Sequence, residues 1–329
     1  MVGDDVPYTT LGSTGLEVSE LCLGTMNFGS GEPWMVGDEA RSREIIERAL
    51  DLGINFLDTA NAYSAGESEE IVGQVVDSYR RSEFVLATKV YFDMFDGPNG
   101  GGLSKKHVID QCHESLDRLG VDHIDLYQIH RWDDDTPIEE TLEALTYLVD
   151  EGYVRYIGAS TMANWQFQRA LYTADIEDYE RFVCMQPEYN AVDRHEEANL
   201  LPVCREEGVG VVPWSPLAGG FLAGKYDRDG GPDSGRAADD EYTAQRFTDE
   251  NWAVLDEIRA VADREDATPA QVSLAWLLHK DVVDAPIIGP RTMDQLEENV
   301  GAVDVTLTEA DLDRIEAPKY PQWPVQGKD

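Results

Sequence analysis

Short apolar segments alternate with helical patterns along almost all of this 329-residue chain, and this alternation limits the folds open to it. The strand-like segments begin near Leu21, Ile54, Phe84, Ile124, Val154, Phe182, Gly210 and Ala285. The helical patterns cover Glu39–Leu52, Ser68–Tyr79, Ser104–Leu119, Pro137–Asp150, Trp165–Tyr172, His195–Glu207, Pro269–His279 and Met293–Val303. Such alternation is typical of a parallel sheet. Eight strand–helix units favour an α/β fold closed into a (β/α)8 TIM barrel over an open sheet.

Segments outside the eight units complete the predicted architecture. A hairpin is expected over Tyr8–Val18, and an extra helix over Asn251–Arg264. Two long loops, Phe92–Leu103 and Lys225–Phe247, follow the third and seventh strands and should lie at the C-terminal face of the barrel. Long loops in compact domains are often functional lids. Ala317–Asp329 is predicted to be a proline-bearing tail.

Four polar residues stand at or just after the ends of predicted strands. Asp58, Lys89 and His130 each follow an apolar run, and Tyr63 lies in the loop five residues after Asp58. The C-terminal ends of the strands of a β/α barrel meet at one face, where the chemistry of such enzymes is placed. Taken singly, these residues have ordinary roles as a helix cap, a packing residue, a strand end or a core histidine. As a set, they predict a proton-transfer site.

The four residue types suit the reduction of a carbonyl group. A tyrosine hydroxyl has a pKa near 10, and a neighbouring lysine ammonium lowers that pKa by stabilising the phenolate. An aspartate would hold the lysine in place, and a histidine could share the proton or donate to the carbonyl oxygen. Since no side chain can supply a hydride, this chemistry also requires a nicotinamide cofactor.

The segments that carry these residues resemble the aldo-keto reductase signature. The resemblance lies in Asp58–Tyr63 followed by Gly66–Gly73, in Ala87–Lys89 and in Tyr127–His130. It runs from about Tyr8 to Val303 and is closest to the bacterial and archaeal long-chain branch of the family. It implies a tetrad with Tyr63 as general acid, Lys89 and Asp58 as its tuning pair, and His130 as the residue that orients the carbonyl.

The resemblance also implies an NADPH site, with NADH as a second possibility. Its residues are Ser160, Gln186, Trp214, Ser215, Leu217, Gly219, Arg291, Gln295, Glu298 and Asn299. Trp214 would stack on the nicotinamide, and Ser160 and Gln186 would bind the carboxamide. Arg291 would bind a 2′-phosphate, and Glu298 and Asn299 would bind adenine. The family often has Ser-Asn where this chain has Ser160-Thr161.

Two other nucleotide-binding patterns are not supported. There is no strand followed by G-x-G-x-x-G, so a Rossmann site is not indicated. Gly219–Lys225 fits most of a P-loop, but the next residue is Tyr226 instead of the Ser or Thr that binds Mg²⁺. In the resemblance, backbone N–H groups from Ser215 to Gly220 would hold phosphates instead. Trp34, Tyr91, Phe92 and Trp132 are candidates for an apolar substrate wall.

Charge sets the expected partners and environment. The chain has 65 acidic and 26 basic residues, a formal net charge of −39, and only seven of its bases are lysine. Nucleic-acid and anionic-membrane partners are therefore not expected. We expect a cytoplasmic, salt-adapted protein, with an ordinary acidic enzyme as the alternative. The four cysteines lack C-x-x-C spacing, and no structural metal is predicted. One domain over residues 1–329 is expected.

Three functions remain open on the sequence. The first is an NADPH-dependent reductase that takes an aldehyde or ketone as its small-molecule substrate. The second is an NADPH-binding regulatory barrel subunit with little turnover, which would keep the same fold and pocket. The third is a different barrel enzyme, such as a hydrolase or a metal-dependent aldolase. The third would need a nucleophile elbow or a cluster of metal ligands, and the six histidines show no H-E-x-x-H pattern.

We expect the melting temperature to rise steeply with KCl. The repulsion within a chain of net charge −39 destabilises the compact state at low salt. In about 1 M salt, a Debye length of roughly 3 Å screens most of that repulsion. Thermal unfolding between low salt and multimolar KCl measures the effect, and a melting temperature independent of KCl would contradict salt adaptation.

Overall fold

The computed structural model describes residues 5–228, 237 and 240–319, and its centre is an eight-stranded parallel sheet. An antiparallel hairpin, β1 (Tyr8–Thr10) and β2 (Glu17–Ser19), precedes that sheet. The parallel strands are β3 (Cys22–Gly24), β4 (Phe56–Asp58), β5 (Val85–Val90), β6 (Ile124–Ile129), β7 (Val154–Ser160), β8 (Phe182–Gln186), β9 (Gly210–Val211) and β10 (Ile287–Ile288). All eight begin within two residues of the predicted starts.

The sheet curls until its two edge strands meet. Its order is β10-β3-β4-β5-β6-β7-β8-β9, so β9 and β10 are the edges. The N–H of Asp284 donates to the carbonyl of Val211 at 2.9 Å, and the N–H of Ile287 donates to the carbonyl of Pro213 at 2.9 Å. These bonds join the two edges and close the ring. The prediction of a (β/α)8 barrel with an N-terminal hairpin is confirmed.

Helices pack around the ring in the predicted alternation. They are α1 (Glu39–Asp51), α2 (Glu67–Val76), α3 (Lys105–Leu119), α4 (Ile138–Asp150), α5 (Asn164–Glu177), α6 (Leu200–Glu207), α7 (Glu241–Ala244), α8 (Asp249–Glu265), α9 (Pro269–Leu278), α10 (Met293–Val300) and α11 (Glu309–Glu316). The extra helix predicted at Asn251–Arg264 is α8. The start signals act as expected: Ser104 caps α3, and Thr268 forms a capping box at α9.

Several helical predictions differ from the structure, including the short helix α7, which lies inside the predicted loop Lys225–Phe247. The segment predicted as one helix, His195–Glu207, is a 3-10 turn at His195–Ala198 followed by α6. Asn199 interrupts it with φ −125° and ψ −88°, values outside the helical region. Helix α11 was not predicted, although Thr308 and Asp311 form a capping box at its start.

Some predicted features fall partly outside the described residues. They are the middle of the loop Lys225–Phe247 and most of the tail Ala317–Asp329. Within the described residues, no helix is both long enough and apolar enough to span a membrane.

The hairpin fills the N-terminal end of the barrel. Leu11 and Val18 pack against Phe56 and other side chains that point into the ring. Gly12 has φ +53°, and a Cβ there would lie 2.4 Å from the backbone nitrogen of Gly210, so this close approach requires glycine. The N–H of Gly12 donates to Oδ2 of Asp284 at 2.9 Å. With this end filled, a ligand can enter only from the C-terminal face.

The contact between Asp284 and the hairpin should make stability depend on pH. Burial raises the pKa of Asp284 to about 6, against a usual value of 3.8, despite the hydrogen bonds it accepts. The folded protein therefore binds a proton more tightly than the unfolded chain does. The resulting stabilisation is complete below about pH 4 and is lost as pH rises through about 6. Above that pH, the buried carboxylate costs on the order of 2 kcal/mol.

We predict that Asp284→Asn raises the free energy of unfolding by about 1–2 kcal/mol at pH 7.5 but changes it little at pH 4.5. Asparagine keeps an oxygen that can accept from Gly12 and removes the buried charge. Urea unfolding of both proteins at constant KCl and at the two pH values measures the difference. An equal effect at both pH values would show that the charge of Asp284 is not its cause.

Candidate active site

A cavity of about 980 Å³ opens at the C-terminal ends of the strands. The predicted site residues that line it are Asp58, Tyr63, His130, Ser160, Gln186, Trp214, Ser215, Leu217, Gly219, Arg291, Gln295, Glu298 and Asn299. The remaining predicted residue, Lys89, is completely buried and reaches the site from below. The structure thus brings the predicted catalytic and cofactor residues together in one continuous space.

Lys89 is the centre of the predicted tetrad. Its Nζ donates to Oδ2 of Asp58 at 2.5 Å, to the hydroxyl of Tyr63 at 3.1 Å and to the carbonyl of Thr59 at 2.9 Å. An ammonium has three donors, and all of them are used. Burial alone would lower the pKa of Lys89, but Asp58 and Tyr63 outweigh it and raise that pKa above its ordinary value. Lys89 is therefore a fixed, permanently charged group.

Two glutamines hold the other oxygen of Asp58. Oδ1 accepts from Nε2 of Gln128 at 3.1 Å and from Nε2 of Gln186 at 2.9 Å. Gln128 lies beside Lys89 in the strand register, and a Cβ on the neighbouring Gly158 would crowd it at 3.0 Å. Gln128 was not predicted as a site residue. The sequence feature that could have identified it is a polar residue inside an apolar strand, two positions before His130 and therefore on the same face.

The turn after β4 brings Tyr63 over Lys89. Ser64 and Ala65 both have positive φ, +48° and +53°, an unusual conformation for residues other than glycine. Burial raises the pKa of the Tyr63 phenol, and Lys89 is the largest opposing influence. The sequence predicts that Lys89 lowers the pKa of Tyr63. The charge of Lys89 does lower this pKa, but the effect of burial is larger. Tyr63 is thus protonated at neutral pH, as a proton donor must be.

His130 stands edge-on to Tyr63. Their ring centroids are 5.7 Å apart at an interplanar angle of 79°, and the ring of Phe92 packs on His130 at 4.9 Å. Burial, followed by the charges of Lys89 and Arg131, places the pKa of His130 well below its ordinary value. The imidazole is therefore neutral at physiological pH. A neutral imidazole has one N–H donor, which can serve a carbonyl oxygen.

The loop after β9 curls back on itself at the cavity wall. Positive φ values occur at Ser215, Ala218, Gly219 and Gly220. A Cβ on Gly219 would lie 2.4 Å from Oγ1 of Thr243, so only glycine fits there. The N–H of Ala218 donates to the carbonyl of Ser215 at 2.9 Å, and the N–H of Gly220 donates to that of Leu217 at 2.8 Å, so these bonds hold the curl at the cavity wall.

Thr161 fixes the indole of Trp214, which lines the same wall. The indole N–H donates to Oγ1 of Thr161 at 3.0 Å. Thr161 has φ +44°, which is strained for a β-branched residue, and the side chain of Ser160 before it donates to the carbonyl of Gln186 at 2.9 Å. The threonine at position 161 therefore positions Trp214.

Two basic side chains, Arg291 and Lys225, line the cavity on the segments that follow β10 and β9. The backbone N–H of Arg291 donates to Oε1 of Gln295 at 2.8 Å, and Nη1 of Arg291 donates to the carbonyl of Trp34 at 3.2 Å. Lys225 also lines the cavity, and its Nζ lies 2.7 Å from where a Cβ of Gly220 would be. Lys225 was named in the P-loop match and as the start of a long loop, but its place beside the glycine loop was not predicted.

The predicted substrate wall is only partly found. Trp34 lines the cavity, whereas Tyr91, Phe92 and Trp132 are not among its lining residues. Phe92 acts indirectly through its contact with His130. Across residues 5–228, 237 and 240–319, no group of three or more His, Cys, Asp or Glu side chains is arranged to hold a metal ion.

Comparison with known proteins gives a consistent result. Residues 20–318 match the model of the aldo/keto reductase family. A putative aryl-alcohol dehydrogenase of Schizosaccharomyces pombe is 38% identical, with 98% of this chain and 97% of that protein covered. The versiconal hemiacetal acetate reductase of Aspergillus parasiticus is 37% identical, covering 96% and 97%. A probable voltage-gated potassium channel subunit beta of Arabidopsis thaliana is 36% identical, covering 96% and 98%.

We predict that Asp58→Asn lowers the free energy of unfolding by about 3 kcal/mol, because it leaves the ammonium of Lys89 buried without its counter-charge. The double variant Asp58→Asn/Lys89→Met should recover a large part of that loss, since it removes the unpaired charge. Urea unfolding of the three variants and the parent at constant KCl gives the coupling energy. A cost below about 1 kcal/mol for Asp58→Asn would contradict the importance of this ion pair.

Proposed function

This chain belongs to the aldo/keto reductase family of oxidoreductases, and we propose that it uses NADPH to reduce an aldehyde or ketone to an alcohol. The observation that carries the proposal is the 3.1 Å hydrogen bond from the buried ammonium of Lys89 to the hydroxyl of Tyr63. That hydroxyl belongs to a residue lining the cavity, so a substrate oxygen can reach it. A phenol paired with a fixed cation gives up its proton more readily than one buried alone.

Each member of the tetrad has a separate task in this proposal. When bound, a reduced nicotinamide supplies the hydride for the carbonyl carbon. Tyr63 donates its proton to the carbonyl oxygen as negative charge develops there, and Lys89 stabilises the phenolate that remains. Asp58 keeps Lys89 charged and in place through the 2.5 Å contact. His130, being neutral, donates its N–H to the same oxygen and orients the carbonyl.

The residues around the cavity have the donor chemistry that a dinucleotide needs. The glycine-containing loop after Trp214 offers backbone N–H groups for phosphates. The indole of Trp214 is held by Thr161 and offers a flat face for the nicotinamide. Nε2 of Gln186 is engaged by Asp58, so its Oε1 is the atom suited to accept from the carboxamide. Ser160 would complete that contact.

The far end of the cavity favours NADPH over NADH. Arg291 and Lys225 place two cations there, in a protein whose net charge is −39. A guanidinium matches the geometry of a phosphate group, and the 2′-phosphate of NADPH supplies one. Glu298 and Asn299, on helix α10, would bind adenine, and Gln295 would hold the backbone of Arg291. NADH is the weaker second cofactor in this proposal.

We also propose a domain organisation and a cellular environment for this enzyme. We propose that the whole chain, 1–329, forms a single domain that works in a salt-rich cytoplasm on a small carbonyl compound. The four cysteines are free and buried, as suits a reducing compartment. The acidic composition disfavours nucleic-acid and anionic-membrane partners.

A regulatory subunit with little turnover is the second candidate. The observation that favours it is the 36% identity to the Arabidopsis protein named as a probable potassium channel subunit beta. An intact tetrad is compatible with either function, because a regulatory barrel could bind NADPH in the same cavity. Turnover separates the two candidates.

We predict that Tyr63→Phe lowers the rate constant kcat by at least about a hundredfold, because it removes the proton donor. NADPH binding should change little, since the phenol lies at the substrate end of the cavity. The assay follows NADPH loss at 340 nm with a panel of aldehydes, ketones and sugars in about 2 M KCl, where surface charges are screened. NADH is run in parallel, and cofactor fluorescence gives the dissociation constants.

The outcomes of this assay are distinct. Parent turnover that Tyr63→Phe lacks would support the reductase. Full activity of the variant would overturn the role of Tyr63. Tight NADPH binding without turnover of any carbonyl would favour the regulatory subunit, and equal use of NADH would contradict the role given to Arg291 and Lys225.

A further inference from the structure

The described arginines that are at least partly buried are mostly neutralised by carboxylates. Among the described arginines that are not exposed, most lie within 4.0 Å of a carboxylate oxygen: Arg43, Arg48, Arg81, Arg118, Arg181, Arg194, Arg246 and Arg259. Within that described set, only Arg131 and Arg291 have no such partner. Both line the cavity. With 65 acidic residues available, an unneutralised and partly buried arginine is unexpected.

Arg131 stands at the substrate end, next to the proposed catalytic residues. It directly follows His130 in sequence, and its Nη1 donates to the carbonyl of His130 at 2.9 Å. Its guanidinium carbon lies 5.8 Å from the ring centroid of Phe92, whose ring packs on His130. The charge of Arg131 also lowers the pKa values of Tyr63 and His130. The guanidinium is thus fixed beside the place proposed for the carbonyl.

The nearby carboxylate of Glu188 does not neutralise Arg131. Glu188 lines the same cavity and is buried, but both of its oxygens are already engaged. Oε1 accepts from Arg246, and Oε2 accepts from the hydroxyl of Tyr242. Burial lowers the pKa of Arg131, but a guanidinium remains protonated in proteins. The cavity therefore presents one positive charge with free donors at its substrate end.

We propose that the preferred substrates are carbonyl compounds that carry a carboxylate, which Arg131 binds while the carbonyl oxygen faces Tyr63 and His130. This inference rests on the proposed reductase function and adds its substrate class. A guanidinium pairs with a carboxylate through directed, charge-assisted hydrogen bonds. A phosphate is less well matched, because phosphate sites usually combine several cations or backbone N–H groups. Arg131 is a single charge and suits a single negative charge.

The test compares substrates that differ only in this charge. The pairs are 4-formylbenzoate with methyl 4-formylbenzoate, and 3-formylbenzoate with its methyl ester. Values of kcat/KM are measured with saturating NADPH for the parent, Arg131→Met and Arg131→Lys. Arg169→Met is the matched control, because it removes the same charge from the exposed face of helix α5, outside the cavity. Cofactor fluorescence gives the dissociation constant for NADPH in each variant.

We expect the parent to prefer at least one acid over its ester by about tenfold or more in kcat/KM. Arg131→Met should abolish this preference mainly through KM, Arg131→Lys should keep part of it, and Arg169→Met should retain it fully. Parent turnover of acids and esters at equal rates would overturn this inference and leave the reductase standing. An equal loss for acid and ester in Arg131→Met, with weakened NADPH binding, would also overturn it. Turnover of none of the carbonyls would overturn the reductase proposal and this inference together.

Discussion

The buried ion pair between Lys89 and Asp58 is the interaction on which the rest of the site depends. Both side chains are almost fully removed from solvent, at 0% and 3% exposure. Burying two charges is costly unless further hydrogen bonds satisfy them. Here three strands meet that requirement, because Asp58 ends β4, Lys89 lies in β5 and Gln128 lies in β6. One polar network therefore lies inside the barrel. The hydroxyl of Tyr63 is the group through which this network meets the cavity.

The large number of acidic residues also affects how charge is distributed over the molecule. This acidic chain provides a carboxylate for eight of the ten described arginines that are not exposed. Within that described group, the two arginines without such a partner are Arg131 and Arg291, and both line one cavity. One end suits the phosphate of a dinucleotide, and the other suits a negatively charged substrate. In this acidic protein, positive charge is available where the proposed ligands carry negative charge.

Much of the fold could be predicted, because the barrel follows from local patterns. Apolar runs mark the strands, and cap residues such as Ser104 and Thr268 mark helix starts. Asp58, Lys89 and His130 could be placed together because strand ends in a parallel barrel converge. The convergence of strand ends did not identify Gln128, Lys225 or Arg131. Their importance depends on which side chain each one meets, and that is set by strand register and by loop paths.

Helices at irregular junctions were also harder to predict. The interruption at Asn199 depends on one backbone conformation that the apolar pattern does not reveal. The role of Thr161 was hidden for a related reason. Only the folded chain brings its hydroxyl to the indole of Trp214.

The strands on opposite sides of the barrel differ in how much backbone pairing they have. Strands β5, β6 and β7 have six, six and seven residues, whereas β9 and β10 have two each. Sparse backbone pairing is typical of regions that open locally at low free energy. The loops proposed to hold the dinucleotide leave from β9 and β10, and the proton-transfer residues Lys89 and His130 belong to the well-paired half. Local opening is therefore expected to be easier at the loops of the proposed dinucleotide site than at Lys89 and His130.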